Sequence, residues 1–277
     1  MTTTPLDNVD PSPRTLSAQH LTLRAGSRML LDDFTHTFRP GEIWCIAGPN
    51  GAGKTTLLGA FAGLQPPAVG HVELDGVPLA RWRPAKLAQR RALMPQASHD
   101  AFSASVLDVV LLSRFPHLGG MRWERDEDRA AARRSLDALG LGAFAARDVL
   151  SLSGGERQRV ALAAVLCQDA PLLLLDEPLS HLDLHHQIDC LTALTAWVAG
   201  GARTLLFSCH DLNLARRFAT HALLLDGDGG AQAGPVRDVL TPALASRAFG
   251  YPLTLIRDGD YEALVPAFAA GGREAQR

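Results

Sequence analysis

Eight consecutive residues, Gly48-Pro-Asn-Gly-Ala-Gly53-Lys54-Thr55, restrict what this chain can fold into more than any other segment. They fit G-x-x-x-x-G-K-[ST] at every fixed position. An apolar run over 42–47 precedes them and a helix-like run over 54–62 follows, so they lie in a strand–loop–helix unit. Gly48, Gly51 and Gly53 let backbone N–H groups turn inward around phosphate oxygens. The helix start adds the positive end of its dipole. Lys54 is placed for the β- and γ-phosphates of a nucleotide, and the Thr55 hydroxyl for Mg²⁺. Lys54 and Lys86 are the only lysines among 27 basic residues. A compact ammonium suits the inside of a tight glycine loop, where a broad guanidinium would not fit. The plainer reading, a glycine-rich turn followed by a chance Lys-Thr, does not explain the strand and helix around it.

The rest of the chain reads as α/β. Strand-like runs occupy 19–24, 29–38, 71–74 and 92–95, with Asp75-Gly76 as a turn. From about 103 to 149 the character becomes helical, with apolar spacing over 106–113 and 127–139. Asp126, Glu127 and Asp128 supply a negatively charged helix start. Strict alternation then resumes: helices over 154–168, 185–198 and 212–219, strands over 172–176, 204–208 and 222–225. The uninterrupted apolar runs at 172–175 and 204–207 fit strands covered on both faces, which predicts a mainly parallel sheet. The last fifty or so residues carry weaker periodicity.

Composition excludes several alternatives. Apolar residues make up 47% of the 277, ample for a core. The most apolar region, 160–175, is broken by Gln168, Asp169 and Pro171, so no membrane span is predicted. Residues 1–14 lack the apolar centre of a signal peptide and are expected to form a disordered tail. Cys45, Cys167, Cys190 and Cys209 have no paired spacing, which argues against a zinc site or disulfides. A cytosolic location follows by elimination. The formal net charge of −2 argues against nucleic acid as a partner.

Two further segments carry chemistry. The strand 172–175 runs into Asp176-Glu177-Pro178. In a parallel sheet, ligands gather at the carboxyl ends of strands. Asp176 can hold Mg²⁺ there, and Glu177 can act on an attacking water as general base. Alone, Asp-Glu-Pro would pass for a strand-ending turn. The second segment, Leu152-Ser-Gly-Gly-Glu-Arg-Gln158, opens a helix with a capping box, Ser153 to Glu156. A cap accounts for the Ser and the Glu but not for two glycines in the first turn, where glycine costs helix stability. Exposed N–H groups at a glycine-lined helix start form a second anion site. Two phosphate sites and one phosphate loop imply that each site completes another subunit's nucleotide.

In the order phosphate loop, Gln96, Leu152–Gln158, Asp176-Glu177, His210, the chain resembles ABC ATPases over roughly 17–226. The resemblance implies a P-loop NTPase fold: a RecA-like α/β core, a small antiparallel β subdomain and an inserted helical subdomain. It divides the chain into a tail (1–16), the first part of the ATP-binding core (17–98), the helical subdomain (99–152), the second part of the core (153–227) and a C-terminal extension (228–277). It also implies a head-to-tail homodimer with ATP and Mg²⁺ between the subunits. Each ATP would be held by Gly48, Pro49, Asn50, Gly51, Ala52, Gly53, Lys54, Thr55 and Thr56 of one chain and Ser153, Gly154 and Gly155 of the other. By the same resemblance Gln96 senses Mg²⁺ and the attacking water, Asp183 belongs to the loop through which the two sites communicate, and His210 contacts the γ-phosphate. Metal contacts are expected from Thr55, Gln96 and Asp176.

One departure stands out. The family's aromatic residue, some 25–30 positions before the phosphate loop, is missing from His20-Leu-Thr-Leu-Arg-Ala-Gly26. Two readings of Arg24 stand side by side: its guanidinium plane stacks on adenine, or it is a solvated strand-end arginine. A metal reading of His181, His185 and His186 is weak without cysteine or a placed carboxylate.

With one motif set and a short helical insert, the chain resembles the separate ATPase subunit of a bacterial importer. The stretch Ser105-Val-Leu-Asp-Val-Val-Leu-Leu-Ser-Arg114-Phe-Pro-His117 is similar to the branch serving ferric siderophores, haem and corrinoids. Overall similarity leans slightly to vitamin B12. The implied partners are integral-membrane permease subunits, which a groove near Gln96 and Arg114–Leu118 would engage, and indirectly a periplasmic substrate-binding protein. The implied location is the cytoplasmic face of the inner membrane, held peripherally. Alternatives are a soluble ABC ATPase acting on DNA repair or ribosomes, and a non-enzymatic nucleotide sensor.

Overall fold

The computed structural model describes residues 15–96, 102–118, 124–259 and 261–267. Residues 1–14 of the expected tail lie outside these. The first sheet is built by β1 (Leu16–Ala25) and β2 (Arg28–Phe38), with β4 (Val69–Leu74) and β5 (Val77–Pro78) after the phosphate-loop unit. It is antiparallel in the order β2-β1-β4-β5. The tail as expected over 1–16 is corrected at its end. Leu16 is 1% exposed and pairs with both Phe38 and Leu74, so the strand starts three residues before the predicted 19. Register shifts along β1 break the simple alternation by which a strand is recognised.

Strand β3 (Ile43–Ala47) is wholly buried and feeds the glycine loop and α1 (Lys54–Phe61). After α2 (Pro84–Ala88) and β6 (Arg91–Met94) come α3 (Val106–Leu112) and α4 (Asp126–Asp137). They pack on α5 (Gly154–Gln168): Val110, Ala132 and Leu136 share one core with Val160, Leu162 and Ala163. The boundary drawn between 152 and 153 therefore falls at a helix start across which the core is continuous.

Alternation then proceeds through β7 (Leu172–Leu175), α6 (Leu184–Ala199), β8 (Thr204–Ser208), α7 (Leu212–Phe218), β9 (His221–Leu225) and β10 (Ala231–Pro235). The main sheet has the order β10-β9-β3-β8-β7-β6, parallel except for β10. All residues of β7 and β8 are buried, as their unbroken apolar runs require. The chain ends in α8 (Val236–Val239), α9 (Pro242–Phe249) and the hairpin β11 (Leu253–Asp258) and β12 (Tyr261–Pro266). This hairpin clasps α7. The Asn213 side chain donates to the Leu264 carbonyl at 3.2 Å and accepts from its amide at 2.8 Å. No helix among the described residues is long and apolar enough to cross a membrane.

A ring cluster fills the seam between the two sheets. His36 lies 5.0 Å from Phe38 and 4.8 Å from Trp44, which stacks on His221 at 4.7 Å. Its Nε2 is buried without a hydrogen bond among the described residues. Burial holds the His36 pKa below 6.5, Arg39 and His221 act the same way, and Glu42 opposes them. The unfolded chain therefore binds the proton first as pH falls. Stability is expected to decline from about pH 6.5 downward, until pH passes the lower folded value. Melting temperature against pH should fall less steeply below 6.5 for His36→Phe than for the wild type. Parallel profiles would assign the decline to other groups.

Candidate functional site

Parallel pairing brings four strand ends to one edge of the main sheet. Ile46 pairs with Ser208, Leu175 with Phe207 and Met94 with Leu175. The residues that follow these strands are Gly48, His210, Asp176 and Gln96. At this edge lies a cavity of about 590 Å³, within the range of small-molecule sites, which Gln96 and His210 line directly. Asn50, Gly51 and Gly53–Thr56 form its floor, Gln96, Glu177 and His210 one wall, and Ala25, Arg28 and Leu30 of the β1–β2 hairpin the other.

The loop conformation depends on its glycines. Gly48 has φ +148°, and a Cβ there would stand 2.6 Å from the Leu225 carbonyl oxygen. Any side chain would push the loop off β9. Lys54 is 7% exposed, and its Nζ donates to the carbonyls of Gly48 (2.9 Å) and Pro49 (3.1 Å). Burial lowers its pKa from the usual lysine value, and the charges of Glu177 and Asp176 oppose that shift. The ammonium is therefore directed into the loop, where it could meet phosphate oxygens.

Asp176 and Glu177 are fixed by β8. The Ser208 hydroxyl donates to Asp176 Oδ1 at 2.7 Å and accepts from the Glu177 amide at 2.7 Å. Gln158 Nε2 donates to the Glu177 carbonyl at 2.9 Å. Glu177 has φ +49°, a left-handed conformation that costs a non-glycine residue free energy unless its surroundings hold it. These two contacts do so, and they aim its carboxylate at His210, with Oε1 2.8 Å from Nε2. Asp176 Oδ2 is buried and makes no hydrogen bond among the described residues. A buried carboxylate oxygen without a partner, on the residue before the cavity-lining Glu177, fits a hard divalent cation such as Mg²⁺.

Other expected residues lie elsewhere. Ser153, Gly154, Gly155 and Asp183 do not line this cavity. Ser153 caps α5 through a complete capping box with Glu156. Gly155 faces the 180–183 loop, where a Cβ would come within 3.0 Å of the His181 carbonyl oxygen. Asp183 caps α6, accepting from the His186 amide at 2.9 Å and facing His186 Nδ1 at 2.8 Å. His185 faces Asp189 at 3.4 Å, so two of the three histidines of the weak metal reading have carboxylate partners.

Of the two readings of Arg24 the structure agrees with the solvated one: it is exposed and not part of the cavity wall. A β-bulge between Leu23 and Arg24 and the turn at Gly26 bring Ala25 and Arg28 to the cavity instead. His20 is likewise engaged elsewhere, 2.7 Å from Asp33. Sequence reasoning also missed Ser208, whose only signal was its place at a strand end.

Residues 31–180, just over half of the chain, match the ABC transporter family model. The hemin import ATP-binding protein HmuV of Pseudomonas entomophila is 46% identical over 241 residues, covering 85% of this chain and 92% of that protein. The protein of the same name from Nocardia farcinica is 42% identical, covering 87% and 85%. Among solved structures, a chain of an inward-facing metal-chelate type ABC transporter superposes with a TM-score of 0.80 at 28% identity, covering 92% of this chain and 98% of that one. A nucleotide-free ATP-binding cassette superposes at 0.73 and 20% identity, which bears on the fold alone. With these matches spanning the phosphate loop and the strand ends around it, the chain belongs to the ATP-binding subunits of ABC transporters and is an ATP-hydrolysing enzyme of that family.

Proposed function

We propose that this chain energises the import of haem through a separate membrane permease. The carrying observation is its 42–46% identity, over 85–87% of its length, to proteins named for hemin import. That similarity moves the cargo from the corrinoid end of the expected set to haem. It also counts against the soluble ABC ATPase.

In this reading the loop amides and Lys54 neutralise the β- and γ-phosphates of ATP. Thr55, Gln96 and Asp176 would hold Mg²⁺, which supplies charge neutralisation of the phosphates when bound. Glu177 positions water for attack on the γ-phosphate, and His210 meets the phosphate from the same wall. Ser153, Gly154 and Gly155 serve the ATP of a second copy packed head to tail, and Asp183 lies on the loop between the two sites. Little covalent chemistry is asked of the protein, so positioning and electrostatics carry the rate.

A permease helix would dock beside α3. Leu112 and Phe115 are 74% and 76% exposed. The segment bearing them is anchored from beneath: Arg114 donates to Asp128 at 2.9 Å and to the Cys167 carbonyl at 3.0 Å, and Gln89 donates to the Pro116 carbonyl at 2.6 Å. Two large apolar side chains on a fixed support suit an apolar partner face. Docking there would hold the subunit peripherally at the cytoplasmic face of the inner membrane, with a periplasmic binding protein delivering cargo.

The test is reconstitution with the permease and binding protein in liposomes, offering haem, a ferric siderophore and vitamin B12 in turn. Haem alone is expected to raise ATP hydrolysis and to accumulate. Uptake of another cargo without haem would overturn the cargo, and ATPase indifferent to the permease would overturn the transport role.

A further inference from the structure

Two sets of residues of different chemistry line the cavity. Lys54–Thr56, Glu177 and His210 come from the phosphate loop and the strand ends, while Ala25, Arg28 and Leu30 come from the β1–β2 hairpin, which packs on the loop at Gly51 and Gly53. With the phosphates on the loop amides and the strand-end residues around them, the hairpin residues are the lining left for the nucleoside. Among the described residues no Phe, Tyr or Trp lines the cavity.

What stands there is a guanidinium held in place. Arg28 Nη2 donates to the Gly227 carbonyl at 2.8 Å, linking β2 to the turn after β9. Its Nη1 lies 3.4 Å from where a Gly51 Cβ would be, and Nη2 lies 3.4 Å from the corresponding point on Gly227. The plane is thus bracketed by two residues without side chains, one of them in the phosphate loop. Arg28 is nonetheless exposed and lines the cavity, so its side chain is accessible to a ligand there.

We propose that Arg28 is the specificity-determining residue of the nucleotide site, stacking its guanidinium plane on the base of the bound nucleotide. The proposal rests on the reading of this cavity as the nucleotide site. A planar cation attracts the π-face of a ring, and every nucleobase has such a face. Stacking of this kind reads no hydrogen-bond pattern. The enzyme therefore accepts adenine and guanine nucleotides with similar affinity, and the phosphates supply most of the binding.

Equilibrium titration of the full chain with ATP, GTP and inorganic tripolyphosphate tests this. The wild type is expected to bind ATP and GTP within about threefold of each other. Arg28→Ala should weaken both by about three- to tenfold and leave tripolyphosphate unchanged. Arg28→Tyr should restore ATP binding, while Arg28→Lys, which keeps charge without a plane, should not. Equal weakening of tripolyphosphate in Arg28→Ala would show a phosphate contact and overturn the proposal. So would unchanged affinity for ATP and GTP, or a wild type preferring ATP by more than tenfold. Failure of the wild type to bind tripolyphosphate would instead overturn the site itself. Because Arg28 is exposed, its variants are expected to melt with the wild type, and a lowered melting temperature would assign the loss to folding and overturn the proposal.

Discussion

Glu177→Gln is expected to abolish ATP turnover while leaving ATP binding intact. The substitution keeps the shape of the side chain and its reach to His210, 2.8 Å away. The backbone contacts that hold Glu177 at φ +49°, from Ser208 and Gln158, do not involve the carboxylate. What is lost is a negative charge that can accept a proton or orient water, a contribution of about 10²–10⁴ in rate. Removing that charge also lessens repulsion of the γ-phosphate, so ATP affinity should hold or rise. The measurements are steady-state phosphate release, an ATP titration, and sedimentation with ATP. Release should drop by at least about 10²-fold. Sedimentation should show a dimer that persists because its nucleotide is not consumed. Turnover near the wild-type rate would remove Glu177 from the chemistry.

The contrast between what was legible in the sequence and what was not follows from the distance over which each feature is determined. The phosphate loop is local. Three glycines, a lysine and a hydroxyl within eight residues specify it, and flanking strand and helix periodicity places it. The parallel sheet was equally open to reading, because β7 and β8 are buried on both faces and so are unbroken apolar runs. Arg28 was not, since its partner Gly227 is 199 residues away. Arg24, four residues earlier, could be read from the sequence either way, as stacking or as solvated, because the bulge and the turn that direct the chain there are not visible in it. The C-terminal hairpin was faint because only Leu253 and Leu255 of β11 turn toward the core, both partly buried, and the exposed Ile256 directly after Leu255 blurs the period of two. Its attachment through Asn213 and the Arg216–Glu262 pair at 2.6 Å depends on contacts that no local pattern encodes.

Gly155 shows the same limit within a motif that was read. Its reason for being glycine is at least partly internal, the carbonyl of His181 at 3.0 Å. That contact joins the start of α5 to the loop that caps α6, and both lie beside Glu177 through Gln158, which also donates to Ser180 at 3.1 Å. One polar side chain thus connects the helix start, the loop and the carboxylate. A displacement of either partner surface would reach Glu177 without passing through the sheet.

Gly154 has no such internal reason, and that makes it the sharper probe. A Cβ at this position would meet only His181 Cβ at 3.9 Å, an ordinary contact. The helix start does not require a glycine either. Ser153 Oγ accepts from the Glu156 amide at 3.3 Å, and the Glu156 carboxylate accepts from the Ser153 amide at 2.7 Å. Glycine in the first turn forgoes about 0.5–1 kcal/mol relative to alanine. An aspartate there would gain about 0.3–1 kcal/mol from the helix dipole. Gly154→Asp is therefore expected to melt at or above the wild-type temperature. In the proposed head-to-tail arrangement, however, its carboxylate would occupy the N–H cradle that this reading assigns to the γ-phosphate of the partner's ATP. ATP affinity of the single chain should be unchanged, ATP-dependent dimerisation lost, and phosphate release reduced by about 10²-fold or more, the scale of losing a preorganised charge-stabilising group. Gly155→Ala should behave in the opposite sense and lower the melting temperature, because its new methyl meets backbone. A Gly154→Asp chain that dimerises and hydrolyses ATP like the wild type would show that the α5 start serves the fold alone.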